Sequence, residues 1–331
     1  MIAVLITVIL SAAAAFCLAA FIVIHIAHQN QFKRADYEDQ SHSICYTDFA
    51  SRYPRETLRI PSGSHMLTGF LYGWENQNGL IVISSGHRCS TDVQLQSMKY
   101  FVDHGWAVLC YDYTGYYHSE GATMVDYTQA VRDLDAVLAF LEHTGRFSEI
   151  PLLLYGHSLG AYGSAAVLNF RHKITAVVAA SGFDKPTEQW AYSIKRFSGI
   201  LGALLGPMAA LYLRAVFGKD TQRFSAVAGI NATRIPVLVV SGTADVFYGG
   251  KSPIYDKQGL ITNPNCTYML MDRDNHNGHY DYMLTDRALE YQEFCRNNPG
   301  EAVDPWRINE QDGTFFDQVN AFFASAVQSR E

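Results

Sequence analysis

Two rhythms of apolar residues run along the chain. Short continuous apolar runs occur at Thr57–Ile60, Met66–Trp74, Leu80–Ser84, Trp106–Tyr111, Ile150–Tyr155, Ile174–Ala180, Ile235–Val240 and Cys266–Met271. Their length and β-branched content predict strands, most of them buried on both faces. Between them lie stretches with helical spacing: Thr91–His104, Met124–His143 (Val131, Leu134, Leu138 and Leu141 on one face), Leu159–Phe170 and Phe315–Val327. Gly105 and Gly145 stand just past two of them, where a helix C-cap favours glycine. Pro61-Ser62-Gly63-Ser64 reads as a turn joining the first two strands antiparallel. Strands that alternate with helices of this length imply βαβ units, hence a mainly parallel eight-stranded α/β sheet with helices on both faces.

Two intervals break the rhythm. Residues 1–27 contain no Asp, Glu, Lys or Arg. About 20 helical residues cross a bilayer core, so residues 1–28 are expected to form one transmembrane anchor. A signal peptide would carry a basic start and turn polar after its Ala-rich part, whereas this run continues through Phe21-Ile22-Val23-Ile24. Lys33 and Arg34 follow it and nothing basic precedes it, which favours a cytoplasmic main domain. Residues 29–50 are polar and mixed, the composition of a juxtamembrane linker, and residues 51–331 form the main domain. The second interval, about 183–230, has no strand-like run. Its apolar middle, interrupted by Gly206-Pro207 and bracketed by Arg196 and Arg214, reads as a helical cap over the carboxyl ends of the strands.

Composition narrows the function. The 25 Lys+Arg and 32 Asp+Glu give a net charge of −7, with no basic tract to attract nucleic acid. At 48% hydrophobic and 17% charged, the chain has ample material for a core. Six cysteines without a C-x-x-C pair suggest reduced thiols rather than a zinc site or a disulfide framework. No metal or organic cofactor is expected.

The chemistry gathers at Gly156-His157-Ser158-Leu159-Gly160, a G-x-S-x-G pattern directly after one strand and before a helix. Such a turn is so tight that its flanking residues must be small, and it lifts the central hydroxyl out at a helix N-terminus. Ser158 is therefore the expected nucleophile. A serine hydroxyl needs a base, and the base a partner that holds its tautomer. In folds built around this elbow the order along the chain is Ser, acid, His. Asp245, just past the strand Ile235–Val240, is the expected acid, with Asp184 the alternative. His279, preceded by Gly278, is the expected base, with His276 the alternative. Backbone N–H groups of Leu159 and His87 are the expected oxyanion donors. His157 is expected to be a packing residue.

With these residues in hand, the chain resembles the α/β-hydrolase superfamily. Ser85-Gly86, Asp112-Tyr113-Thr114-Gly115-Tyr116-Tyr117-His118-Ser119, the Ser158 elbow, Asp245 and Gly278-His279 carry the resemblance, over roughly residues 55–325. Within it the chain is similar to the serine-aminopeptidase-like and monoacylglycerol-lipase-like branch. The family's usual His-Gly is Ser85-Gly86 here, and a usual glycine is Tyr117. Neither departure removes a proton-transfer group. The resemblance implies an α/β-hydrolase fold, which hosts esterases, lipases, thioesterases and peptidases alike; the apolar cap stretch and the anchor favour hydrolysis of a small ester or lipid-like substrate through an acyl-enzyme. An exopeptidase remains open, with Asp184, Glu188 and Asp220 as loose candidates for an amine site. So does a catalytically silent binding protein.

Overall fold

The computed structural model describes residues 1–37, 44–218, 223–249 and 252–329. Eight strands form one sheet: β1 Arg55–Ser62, β2 His65–Tyr72, β3 Leu80–Ser84, β4 Ala107–Tyr111, β5 Leu152–His157, β6 Ala176–Ala180, β7 Val237–Gly242 and β8 Cys266–Met271. Their order is β1-β2-β4-β3-β5-β6-β7-β8, antiparallel across β1, β2 and β4 and parallel from β4 to β8. The central strands alternate between two cores. Leu80, Val82, Leu109 and Leu154 face one, while Ile81, Ile83, Val108 and Leu153 face the other. That is the period-2 geometry of a strand with both faces covered.

Ten α-helices are described. Helix α1 (Ile2–Phe32) precedes the sheet, and α2 (Leu95–Asp103), α3 (Gln129–Thr144) and α4 (Leu159–Ala166) connect its strands. Three helices, α5 (Pro186–Phe197), α6 (Gly202–Phe217) and α7 (Ala226–Asn231), fill the interval expected to be a cap; α8 (Asp286–Asn297), α9 (Pro305–Ile308) and α10 (Gly313–Gln328) close the chain. The expected helix Thr91–His104 begins instead as a 3-10 turn, Thr91–Gln94, and Leu159–Phe170 ends as one, Val167–Asn169. Helix α3 starts at Gln129 rather than Met124, because Asp126 binds the Thr128 N–H and hydroxyl and holds the preceding residues in a turn.

α1 is long and apolar enough to cross a membrane. At about 1.5 Å per residue, its exposed Ile2–Ala19 portion is roughly 27 Å long, close to the thickness of a bilayer core. Its last turns do not lead into a free linker. Ala20, Ile24, His28 and Phe32, spaced four apart, are buried against the domain. Lys33 and Ala35 bridge to Thr123 and Tyr116, and the Arg34 guanidinium donates to the carbonyls of Tyr117, Ser119 and Gly121. The expected linker over 29–50 is thus corrected at its start: residues 29–37 are helix end and docked strap, because α1 carries an apolar stripe through Phe32 that polar neighbours conceal. Residues 38–43 of it lie outside the described residues.

Candidate active site

Strand β5 delivers Ser158 in a conformation that L-residues seldom adopt, φ 61° and ψ −117°. Two close approaches enforce it. A Cβ on Gly156 would lie 2.2 Å from the Gly160 carbonyl oxygen, and one on Gly160 would lie 1.9 Å from that of Ser84. Only glycine fits at either place, so the elbow is a packing requirement. It seats Ser158 at the N-terminus of α4, whose dipole favours developing negative charge.

Asp245, the expected acid, stands three residues past the end of β7. A Cβ on Gly242 would meet the Gly278 and Asn277 carbonyls at 2.1 and 2.3 Å. The β7 end and the 276–279 loop therefore lie backbone to backbone, which brings Asp245 to His279. His279 Nδ1–H donates to Asp245 Oδ2 at 2.7 Å. That tautomer leaves Nε2 free to accept from the Ser158 hydroxyl, 2.9 Å away. The other Asp245 oxygen is held by the N–H groups of Phe247 and Tyr248. Ser158, Asp245 and His279 thus come together as one hydrogen-bonded relay.

The alternatives lie elsewhere. Asp184 is buried and accepts from Lys257 Nζ at 2.7 Å, from the Ser225 hydroxyl and from the Val227 N–H, which ties the cap together. His276 is buried, not solvated, and bonds Asp286 and the Asp281 carbonyl. His157 is more than a packing residue: its Nε2–H donates to the His279 carbonyl at 3.0 Å. Burial and the neighbouring His279 hold its pKa down at about 3, so it stays a neutral donor.

Leu159 follows Ser158 as the first residue of α4, and Gly86 faces Ser158, since a Cβ on Gly86 would stand 3.5 Å from Ser158 Cβ. The His87 side chain fixes this loop. Its Nε2–H donates to the Gln31 carbonyl of α1 at 3.0 Å, and its Nδ1 accepts from the Tyr116 hydroxyl at 2.9 Å. Burial lowers its pKa to about 4. Tyr117, where the resembled family has glycine, keeps a left-handed φ of 44° and donates its hydroxyl to the Arg88 carbonyl at 2.5 Å. The side chain thereby braces the same loop from the other side.

One participant escaped the sequence reading. The Tyr248 hydroxyl lies 2.7 Å from Ser158 Oγ. Because that oxygen gives its own proton to His279, Tyr248 is the donor. Burial raises its pKa far above the ordinary phenol value, so it keeps the proton. Its one sequence signal was the position three residues past Asp245, in a loop folded back by that carboxylate.

A cavity of about 580 Å³ opens over Ser158, in the size range of small-molecule sites. Phe197, Phe247, Met283 and Leu284 give it apolar walls, Gln31 enters from α1, and Asp92 is the one carboxylate among its described lining residues. Cys89 also borders it, but burial pushes its thiol pKa up to about 11, so it is no competing nucleophile.

Residues 75–223 match the family model described as serine aminopeptidase, S33. The esterase Pf2001 of Pyrococcus furiosus superposes with a TM-score of 0.55 at 16% identity, over 78% of this chain and 92% of its own. The chain has the α/β-hydrolase fold. Est1E from Butyrivibrio proteoclasticus superposes with a TM-score of 0.49 at 17% identity, over 74% of this chain and 99% of its own. No curated protein matches the sequence.

Proposed function

We propose that this protein is a membrane-anchored serine hydrolase that splits carboxylic esters with an apolar acyl group. The observation that carries the reading is the relay from Ser158 through His279 to Asp245 at 2.9 and 2.7 Å, open to a largely apolar cavity. In acylation the Ser158 oxygen attacks the ester carbonyl while its proton passes to His279 Nε2. The imidazolium then protonates the departing alkoxide, which leaves as the alcohol. Water gives its proton to the same nitrogen, attacks the acyl-serine, and releases the carboxylic acid and the original serine. The oxyanion of each tetrahedral intermediate takes hydrogen bonds from the Leu159 and His87 N–H groups, and Tyr248 supplies a third donor.

The anchor reading of α1, over a cleaved leader, draws support from the stripe Ala20, Ile24, His28 and Phe32 and from the Gln31–His87 bond. Removing the helix would uncover a core face and free the loop that carries an oxyanion donor. Lys33 and Arg34 just past the helix favour a cytoplasmic domain. Labelling by a fluorophosphonate probe tests the nucleophile, and p-nitrophenyl esters of graded chain length test the substrate class. Absence of labelling in the folded protein, with Ser158→Ala indistinguishable from the parent, would sink the proposal in favour of a silent binding protein.

The exopeptidase reading is weaker. Asp184 and Glu188 both pair with Lys257 and line a different depression, and Asp220 lies outside the described residues. Asp92 does face the catalytic cavity, yet burial raises its pKa and disfavours the charge an α-amine needs. Turnover of aminoacyl naphthylamides above that of esters would reverse this ranking.

A further inference from the structure

Helix α6 lies against α1 and presents an outer face that water does not suit. Tyr212 packs on Phe21, His25 and His28, and Phe217 stacks on His28, so the two helices run in the same sense where they meet. His25 Nδ1 and the Tyr212 hydroxyl are joined at 2.9 Å. The start of α6 therefore points toward the apolar end of α1. On its outer side stand Leu204 and Leu211, 58% and 65% exposed, with Pro207 between them and Ala203 just before. Leu201 and Phe197, the latter 83% exposed, extend this face to the end of α5. No charge interrupts it from Phe197 to Leu211; Lys195, Arg196 and Arg214 flank it, all exposed.

We infer that this face of the cap rests in the headgroup region of the bilayer that α1 crosses, so that the catalytic cavity opens onto the membrane and takes its ester from there. The inference rests on the anchor reading of α1. If Ile2–Ala19 fills the hydrocarbon core, the α1–α6 contact begins at the membrane boundary with Phe21 and ends about 14 Å past Ala19 with His28. An apolar face edged by Lys and Arg suits the boundary of an anionic leaflet, where the leucines enter the lipid and the cations meet the headgroups. The mouth lies further along α1, about 18 Å past Ala19 where Gln31 stands, and the end of α5 reaches it from the apolar face. Gln31, one residue before the end of α1, lines the cavity together with Tyr192, Arg196 and Phe197 from the end of α5. A long acyl chain leaving the lipid would follow Phe197 into the cavity over Ser158, and Arg196 would meet the polar end of a lipid at the rim. The occupant is a lipid surface rather than a protein, because the face is continuous with the membrane helix itself.

Full-length protein in phosphatidylcholine–phosphatidylserine vesicles tests this. The Leu204→Glu/Leu211→Glu variant changes exposed side chains that touch neither the triad nor the cavity. Its turnover of a long-chain ester dissolved in the bilayer should fall about tenfold or more, while that of a short soluble ester stays within about twofold. Leu211→Trp, in otherwise native protein, should gain fluorescence quenching by brominated phosphatidylcholine. Equal turnover of both esters by the double variant, or an added tryptophan that brominated lipid does not quench, overturns the inference. Pelleting with the vesicles after alkaline carbonate separates the premises. A chain that pellets but shows no added quenching loses the cap surface and keeps its anchor; a chain that is released loses both. If no ester is turned over, the hydrolase reading fails, and the quenching still decides where α6 lies.

Discussion

Replacing Tyr248 by Phe removes one hydroxyl and keeps the ring that packs edge-on against His279 and Phe183. In the resting site that hydroxyl donates to Ser158 Oγ at 2.7 Å. When the oxygen bonds to the substrate carbon it becomes ether-like and a poorer acceptor. The carbonyl oxygen, now charged, lies one atom further along the same adduct, so a small turn of the phenolic O–H redirects the bond to it. An interaction that strengthens as the transition state forms raises kcat, and losing a single oxyanion donor costs roughly 10²- to 10³-fold. With two backbone donors still in place, Tyr248→Phe should lower kcat on a p-nitrophenyl ester by about 10²-fold with little change in KM. Acylation and deacylation both pass through the oxyanion, so the loss should appear whichever limits turnover. The melting temperature should move by no more than a few degrees, since one net hydrogen bond is worth about 1 kcal/mol. An unchanged or faster kcat would refute the reasoning: it would mean that the phenol only stabilises the resting serine, and that freeing the serine helps attack.

Three further outcomes follow from the geometry. Asp245→Asn offers His279 Nδ1 an amide N–H as readily as an acceptor and so favours the wrong tautomer; kcat should drop by roughly 10⁴-fold with the fold intact, as judged by circular dichroism. Gly160→Ala would place a methyl 1.9 Å from the Ser84 carbonyl, so soluble folded protein should be lost, or the melting temperature sharply lowered, rather than only activity. His157 and His87 both carry pKa values depressed by burial from 6.5, to about 3 and about 4. The unfolded chain therefore binds more protons than the folded one across that window. The contribution of these two histidines to stability should be flat above about pH 7 and fall as the pH drops from about 6.5 toward 4. Melting temperatures across this range check it, and a rise on acidification would contradict the assignment.

Much of this protein is written in local pattern. The strands announce themselves because each is short and the inner ones are buried on both faces, and the elbow because Gly156 and Gly160 flank Ser158 at the junction of β5 and α4. The order of acid and base along the chain followed from the same fold logic, and Asp245 and His279 meet as that order implies. Other features left no local trace. Tyr248 reaches Ser158 only because Asp245 folds the intervening loop back through its own N–H partners. His157 looked like packing until the His279 carbonyl arrived opposite it, from 122 positions later in the chain. The polar segment after α1 looked like a tether because composition reports solubility, not docking; its contacts with Thr123, Tyr116 and the 117–121 carbonyls are long-range. Periodicity and steric necessity act between neighbours and can be read from residues in a row. Which loop meets which nucleophile depends on where the sheet delivers strand ends, and only the assembled fold decides that.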